Sequence, residues 1–266
     1  MPVKRRAERG HMASATIDWC EVNYAVLSWI AEFWNTFSSL AILLPAMFGL
    51  HIAKHRRYES VVSLQFCLLV SVGIGTAWFH ASLTYVGQMV DELAMLAGGV
   101  NWVIGLLVAL CRSRGEAVPA SRIIALVAVT FGFSMAHAAC GFTLIFQLFF
   151  TLFVVAGLIL QYQLYWNVFT LYAQRCLVHM YLGSLVSSVL LWQLDIHACT
   201  WLARLPLGNP ELHAWWHVIV GYNSFVGGML MQTALDAANA KLQRRDARGP
   251  EFSLWLLPFA TAPAPK

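Results

Sequence analysis

IIALVAVTFGFSMAHAACGFTLIFQLFFTLFVVAGLILQYQLYWNVFTLYAQ, residues 123–174, runs for 52 positions without an Asp, Glu, Lys or Arg. A bilayer core takes roughly 20 apolar residues per helix, so this stretch is too long for one span and accommodates two. Its polar break at 137–141 is where they divide. Outward from it, the charge-free gaps 60–90, 93–111 and 212–235 hold one span each, and two more around 33–53 and 177–194 complete seven. Hydrophobic residues make up 59% of the chain and charged ones 11%, against about 45–50% and about 25% in soluble domains. A soluble helical core would keep a polar face on each helix, which these segments lack. The expected fold is an all-α polytopic membrane protein, a seven-transmembrane helix bundle over 33–236. It is preceded by a polar segment, 1–32, and followed by a basic tail, 237–266, whose end TAPAPK is expected to be disordered.

Orientation follows from Lys and Arg close to the span ends. Lys54, Arg56 and Arg57, then Arg112, Arg114 and Arg122, then Arg175, and finally Lys241, Arg244, Arg245 and Arg248 fall on one side; the opposite connections carry only Arg204. This predicts a lumenal N-terminus and a cytosolic C-terminus. Lys4, Arg5, Arg6 and Arg9 are contrary in sign but lie far ahead of the first span. They lead into HMASATIDWCEVNY rather than an apolar signal region, so the first helix is expected to act as an uncleaved anchor. The net charge of +4 is a topology signal, with no basic and aromatic interleaving of the kind that binds nucleic acid.

Three histidines sit in apolar sequence: His80 at the end of VVSLQFCLLVSVGIGTAWFH, and His213 and His217 in ELHAWWHVIVGY. Residues at i and i+4 share a helix face, so His213 and His217 can reach one metal ion. In the seven-span order His80 falls at the same lumenal depth, and ionisable groups at such positions mark functional sites. Three neutral imidazoles leave zinc a fourth position for water, whose pKa can fall toward about 7. The rival reading is a structural hydrogen-bonded cluster. Haem would need ligands on opposite faces, which an i, i+4 pair does not supply. Asp91 opens the next apolar stretch, where it reads either as a helix N-cap or as a general base and acid. Its neighbour Glu92 points about 100° away and is the alternative catalytic carboxylate. Thr76, one turn before His80, either bonds a backbone carbonyl or orients water or an oxyanion. His51 and His55 are expected to be solvated in a basic connection, and His11, His137, His179 and His197 have no comparable company.

Asp18, Glu21, Asn23 and Glu32 form a second constellation of oxygen ligands, a chemistry that suits calcium, although the spacing is not that of an EF-hand loop. A polar juxtamembrane segment is the plainer reading. Cys20 and Cys199 both fall on the predicted lumenal side, where they are either a disulfide or two free thiols. Cys67, Cys111, Cys140 and Cys176 lack metal-ligand spacing and read as packing residues.

The strings DWCEVNY, IAEFWNTFSS, WFHASL followed by DELAM, and HAWWH together strongly resemble the alkaline ceramidases, seven-helix amide hydrolases of the endomembrane system, and they spread over nearly the whole bundle. The resemblance implies zinc held by His80, His213 and His217, with Asp91 rather than Glu92 activating its water. It implies calcium on Asp18, the Trp19 carbonyl, Glu21, Asn23 and Glu32, and a Cys20–Cys199 bridge. The implied substrate is a membrane lipid, ceramide, dihydroceramide or phytoceramide, hydrolysed to a sphingoid base and a fatty acid in the endoplasmic reticulum or Golgi. Thr76 stands where the family commonly has Ser, and its extra methyl is expected to narrow the site. Adiponectin-type receptors resemble the same zinc arrangement and supply the non-catalytic alternative; the segment from Asp18 to Glu32 argues against it.

Overall fold

The computed structural model describes residues 14–206, 208–243, 250–252 and 258–260. Eight helices make the bundle: α1 (Phe33–Ser38), α2 (Leu40–His55), α3 (Ser60–Ser82), α4 (Tyr85–Ser113), α5 (Ala120–Cys140), α6 (Thr143–Asn167), α7 (Tyr172–Leu202) and α8 (Leu212–Leu242). The first two together form one crossing, so seven segments are long and apolar enough to span a membrane, as the sequence predicts. A short antiparallel pairing of Pro250–Phe252 with Pro258–Ala260 follows. The basic residues at positions 4–9, His11, the tail arginines 244, 245 and 248, and the expected disorder of 261–266 lie outside the described residues.

Local chemistry accounts for the breaks. Gly141, at φ 65°, ends α5 in the left-handed conformation that glycine adopts without penalty, and α6 begins two residues later. Thr84 starts α4, its hydroxyl accepting from the Gly87 N–H at 3.1 Å. Asp91 is therefore not an N-cap; it lies nearly two turns inside α4, and that alternative is corrected. The outer helices of the charge gaps also run longer than the gaps themselves, because Asp195 and Arg175 are accommodated within α7.

Helix α8 is the axis of the bundle. It buries the side chains of Phe225, Val226, Met229, Leu230 and Leu235 against Phe66 of α3, Leu106 of α4 and Leu177 of α7. Helix α5, by contrast, buries only Thr130 and His137. Large apolar side chains such as Leu44, Ile74, Val129, Leu152 and Val189 point outward, the pattern of lipid-facing helices. Exposed Trp29, Trp34, Trp78, Trp201 and Trp215 gather at the end that carries the histidines, and Tyr162, Trp166 and Tyr172 at the other. Aromatic belts of this kind mark the two interfaces of a bilayer.

Without a hydrophobic force between helices in lipid, close packing of small residues holds such bundles together. A Cβ on Gly221 of α8 would stand 2.1 Å from the Ala41 carbonyl oxygen of α2, and one on Gly75 of α3 would stand 2.9 Å from Asp91 Cα of α4. The second approach matters most, because it presses the residue beside Gly75, Thr76, against Asp91. At the histidine end the N-terminal segment is laid over the helices: Ala15 N–H donates to Leu83 O, Ala31 N–H to Ala81 O and Glu32 N–H to His80 O. Cys20 and Cys199 close a disulfide with Cα atoms 5.3 Å apart, fastening that segment to the end of α7.

Gly221→Ala should lower the thermal unfolding midpoint of the detergent-solubilised protein by the equivalent of about 1–3 kcal/mol, the usual cost of overpacking. Gly183→Ala, which meets nothing within 4 Å, should leave it unchanged in the same fluorescence melt.

Candidate metal centre

His80 from the last turn of α3 and His213 and His217 from the first turns of α8 converge, each with at most 2% of its surface exposed. One ring nitrogen from each lies within 4.8 Å of the others, the sole such His, Cys, Asp or Glu cluster among the described residues that could hold a metal ion.

The groups around the rings fix which nitrogens face inward. Ser38 Oγ sits 2.7 Å from His217 Nδ1 and donates its own proton to Asn35 O at 3.1 Å. Both contacts are satisfied at once when His217 Nδ1–H donates to Ser38, which leaves Nε2 as a bare lone pair. That Nε2 is buried without a protein partner. His80 Nδ1 lies 2.6 Å from Glu32 Oε2, and an anionic Glu32 permits only the tautomer with the proton on Nδ1. His213 is gripped differently: Trp19 stacks on its ring at 3.7 Å and 18°, and Asp195 accepts its backbone N–H at 3.3 Å. Its Nδ1 also has no protein partner. Lone pairs of neutral imidazoles cannot satisfy one another, and an unmet buried polar atom costs about 1–3 kcal/mol. The donor set fits a cation, and the Glu32 and Ser38 contacts are the outer hydrogen bonds that orient metal-binding histidines.

Thr76 Oγ stands 2.7 Å from Asp91 Oδ1 and 2.8 Å from Val72 O. Both Thr76 and Asp91 line a cavity of ≈ 160 Å³ that runs between α3, α4, α6, α7 and α8. It passes Trp216, the neighbour of His217, and is walled by Leu69, Val72, Met95 and Phe153. Glu92, the alternative carboxylate, faces elsewhere. Its Oε2 meets His137 Nε2 at 2.6 Å and its Oε1 accepts from Gln88 Nε2 at 3.0 Å. Glu92 is thereby spoken for. His137, which the sequence leaves without company, is fully buried between Phe133 and Phe146 and pins α5 to α4. The signal that could have found it is its place at the polar break of an otherwise apolar run.

The acidic segment packs beside the histidines. Glu21 Oε1 and Oε2 accept from the Trp34 and Asn35 backbone N–H groups at 2.7 and 2.9 Å, Glu32 Oε1 from Trp19 N–H at 3.1 Å, and Asp18 Oδ1 from Asn23 Nδ2 at 3.2 Å. Burial pushes the Glu21 carboxyl up to about 7, and burial with the neighbouring Asp18 charge pushes Glu32 up to about 8. Glu211 is also raised to about 8, by burial and by Glu21, Asp195 and Glu32. Asn23 Oδ1 is buried with no hydrogen-bond donor. Carboxyls and an unmet amide oxygen are donors of the type a hard divalent cation takes, but Asp18, Glu21 and Glu32 do not converge as the three histidines do. Of the other histidines, His51 and His55 are exposed at the far end as expected, and His179 and His197 are exposed on α7.

The fold is an all-helical bundle with seven segments able to span a membrane, and it buries three histidines with the Glu32 carboxylate against one of them. The ceramidase family profile matches residues 11–258. The chain is 29% identical over 212 residues to an alkaline ceramidase of Arabidopsis thaliana, covering 80% of each. It is 28% identical over 220 residues to alkaline ceramidase 3 of Mus musculus, covering 80% and 81%. It is 30% identical over 230 residues to alkaline ceramidase YPC1 of Saccharomyces cerevisiae, covering 78% and 72%. The chain belongs to the ceramidase family and is a hydrolase of that type.

Ser38→Ala and Glu32→Gln should each weaken the affinity of the histidine centre for zinc by about 10–100-fold. Competition against a chromophoric chelator reads this directly, with circular dichroism confirming the helices.

Proposed function

We propose that this protein is a zinc-dependent amidase that cleaves ceramides inside the membrane to a sphingoid base and a free fatty acid. The observation that carries the reading is the convergence of His80, His213 and His217, with a partnerless buried ring nitrogen on each of the last two, one turn along α3 from Thr76 and the Asp91 it touches. Zinc bound there by His80, His213 and His217 supplies a Lewis acid for the amide carbonyl and a water acidified toward neutral pH.

The remaining steps belong to the chain's own residues. The Thr76 hydroxyl has Asp91 Oδ1 at 2.7 Å and Val72 O at 2.8 Å, so it ties the carboxylate of α4 to the backbone of α3 and fixes its position on the cavity wall. Asp91 takes a proton from the attacking water and passes it to the amide nitrogen as the C–N bond breaks, leaving a carboxylic acid and a primary amine. Thr76 is thus a positioning residue for Asp91 in addition to the oxyanion role its place implies. The apolar walls hold an alkyl tail and exclude bulk water, which strengthens every charge interaction at the centre. A two-tailed lipid reaches this depth by lateral diffusion, with its polar head beside the acidic segment.

Calcium belongs to that segment, on Asp18, the Trp19 carbonyl, Glu21, Asn23 and Glu32. Glu32 is in contact with both sites, which makes calcium a stabiliser of the His80 orientation. The basic connections support a histidine end that faces the lumen of the endoplasmic reticulum or Golgi, with α8 ending in the cytosol.

Asp91→Asn should abolish fatty acid release from ceramide, by about 10²-fold or more, with zinc content by elemental analysis unchanged. Full activity in that variant would remove Asp91 from the mechanism. Asn23→Ala should erase the rise in melting temperature that calcium gives the wild type, while a wild type indifferent to calcium would refute the site.

A further inference from the structure

The cavity beneath the catalytic pair contains one glycine that helix packing does not explain. Along α4, a Cβ on Gly99 would meet Phe153 at 2.9 Å and one on Gly105 would meet Met231 Sδ at 2.3 Å; on α6, a Cβ on Gly157 would meet Trp102 Nε1 at 2.6 Å. Those glycines admit a neighbouring side chain. Gly98 does not: its Cβ would find only Gln65 Nε2, at 3.8 Å, an ordinary contact. A glycine within a helix costs about 1 kcal/mol relative to alanine, and here it leaves space on the wall of the cavity instead of closing a contact. Gly98 is buried and lines that cavity together with Gln65, Met95 and Gly99.

Depth along α4 converts into chain length. Gly98 lies seven positions beyond Asp91, about 10.5 Å at 1.5 Å per residue. Carbon–carbon bonds of about 1.5 Å at tetrahedral angles advance about 1.25 Å per carbon, so this depth is reached by about eight carbons of an extended tail. Eleven positions beyond Asp91 stands Trp102, and eleven before Thr76 on α3 stands Gln65; both give about 16.5 Å, or about 13 carbons. The lower wall carries the Gln65 amide beside Trp102, and Asn101 behind it ties that amide back into the bundle, its Nδ2 donating to Gln65 Oε1 at 2.8 Å and to Val61 O at 3.0 Å. It is a stop that an alkyl chain gains nothing by passing, since displacing those bonded amides would leave them unmet.

We propose that Gly98 and the Gln65–Asn101–Trp102 floor form a length gauge for one alkyl tail of the lipid substrate. Gly98 is the clearance that lets a tail longer than about eight carbons pass down α4, and the floor sets where it must bend. The inference rests on the proposed ceramidase reaction for its substrate but makes a claim of its own, namely that a side chain at position 98 shortens the accepted tail without touching the chemistry. Two tails could occupy the cavity, the N-acyl chain or the hydrocarbon of the sphingoid base, and both offer the same methylene surface.

The test uses the full-length protein in detergent micelles and two substrate series, one varying the N-acyl length on a fixed base and one varying the base on a fixed acyl group. Gly98→Leu should lower kcat/KM for tails of 16 carbons by about tenfold or more in one series, while tails of about eight carbons or fewer keep wild-type turnover. Gly98→Ala should show a smaller shift of the same sign. The series that responds identifies the tail. Retained short-tail turnover shows that the variant is folded with its centre intact. A length profile unchanged in both series, or a loss equal at every length in both variants, overturns the gauge. Should the wild type turn over no ceramide of any length, the reaction assignment fails, and the gauge is then read by fatty acid binding alone. Selective loss of hexadecanoate over octanoate binding in Gly98→Leu supports it, and equal binding of each by both proteins refutes it.

Discussion

The contact on which most of this structure depends is Glu32 Oε2 against His80 Nδ1, at 2.6 Å. The same carboxylate accepts from Asn35 Nδ2 and, through its other oxygen, from the Trp19 backbone. One buried side chain thereby joins the N-terminal segment, α1 and α3, and sets the tautomer of a ring that faces two other histidines. Leaving such a carboxylate in apolar surroundings is expensive unless it is hydrogen bonded and near positive charge. Everything around it supplies those conditions: three N–H donors, a disulfide that holds the overlying segment at Cys20, and a histidine centre whose lone pairs call for a cation. The acidic segment is the outer layer of the histidine cluster, which explains why a polar strap is folded onto the end of an apolar bundle instead of trailing in solvent.

Much of this was legible in the sequence because lipid imposes a coarse grammar. Charge-free runs mark spans, and an i, i+4 histidine pair on one of them marks a shared face; seven spans and the His80, His213 and His217 cluster emerged from those two rules. What was hidden depends on rotation and close approach, which spacing does not encode. Asp91 and Glu92 are adjacent, and only the Gly75 approach of α3, 2.9 Å from Asp91 Cα to a would-be Cβ, shows that Asp91 is the one facing Thr76. The partner of Glu92, His137, lies 45 positions away on the neighbouring helix, and no local pattern joins them. Ser38 was passed over in the string IAEFWNTFSS, since a serine near the start of a helix is ordinary until its proton is traced to Asn35 and its lone pair to His217.

The helices divide into a rigid set and a peripheral one. Helices α2, α3, α4 and α8 meet through small residues and share the core around Phe66 and Met229, whereas α5 is attached through His137 and Thr130 and otherwise faces outward. The histidine cluster and the Thr76–Asp91 pair all stand on the first set: Thr76 and His80 on α3, Asp91 on α4, His213 and His217 on α8. Helices α6 and α7 contribute Phe153 and Tyr181 to the cavity wall without contributing to the chemistry. Such a division keeps ligands within the narrow tolerance that metal-assisted hydrolysis requires, while the wall that touches a variable hydrocarbon tail is built from side chains that can repack.

The two adjacent carboxylates of α4 show how one helix serves both ends. Asp91 turns inward to Thr76 and the cavity, while Glu92, about 100° around the helix, is hydrogen bonded to His137 and to Gln88, which also accepts from the Thr16 backbone at 2.7 Å. A single rotation of α4 cannot move one without the other. The Glu92–His137 pair therefore locks the azimuth of α4 from the lipid side as the Thr76 hydroxyl does from within, and Asp91 is held between them. Two buried acids side by side would repel and compete for protons if both faced the same water. Sending the second to a histidine on a neighbouring helix leaves the first as the sole carboxylate among the residues that line that cavity.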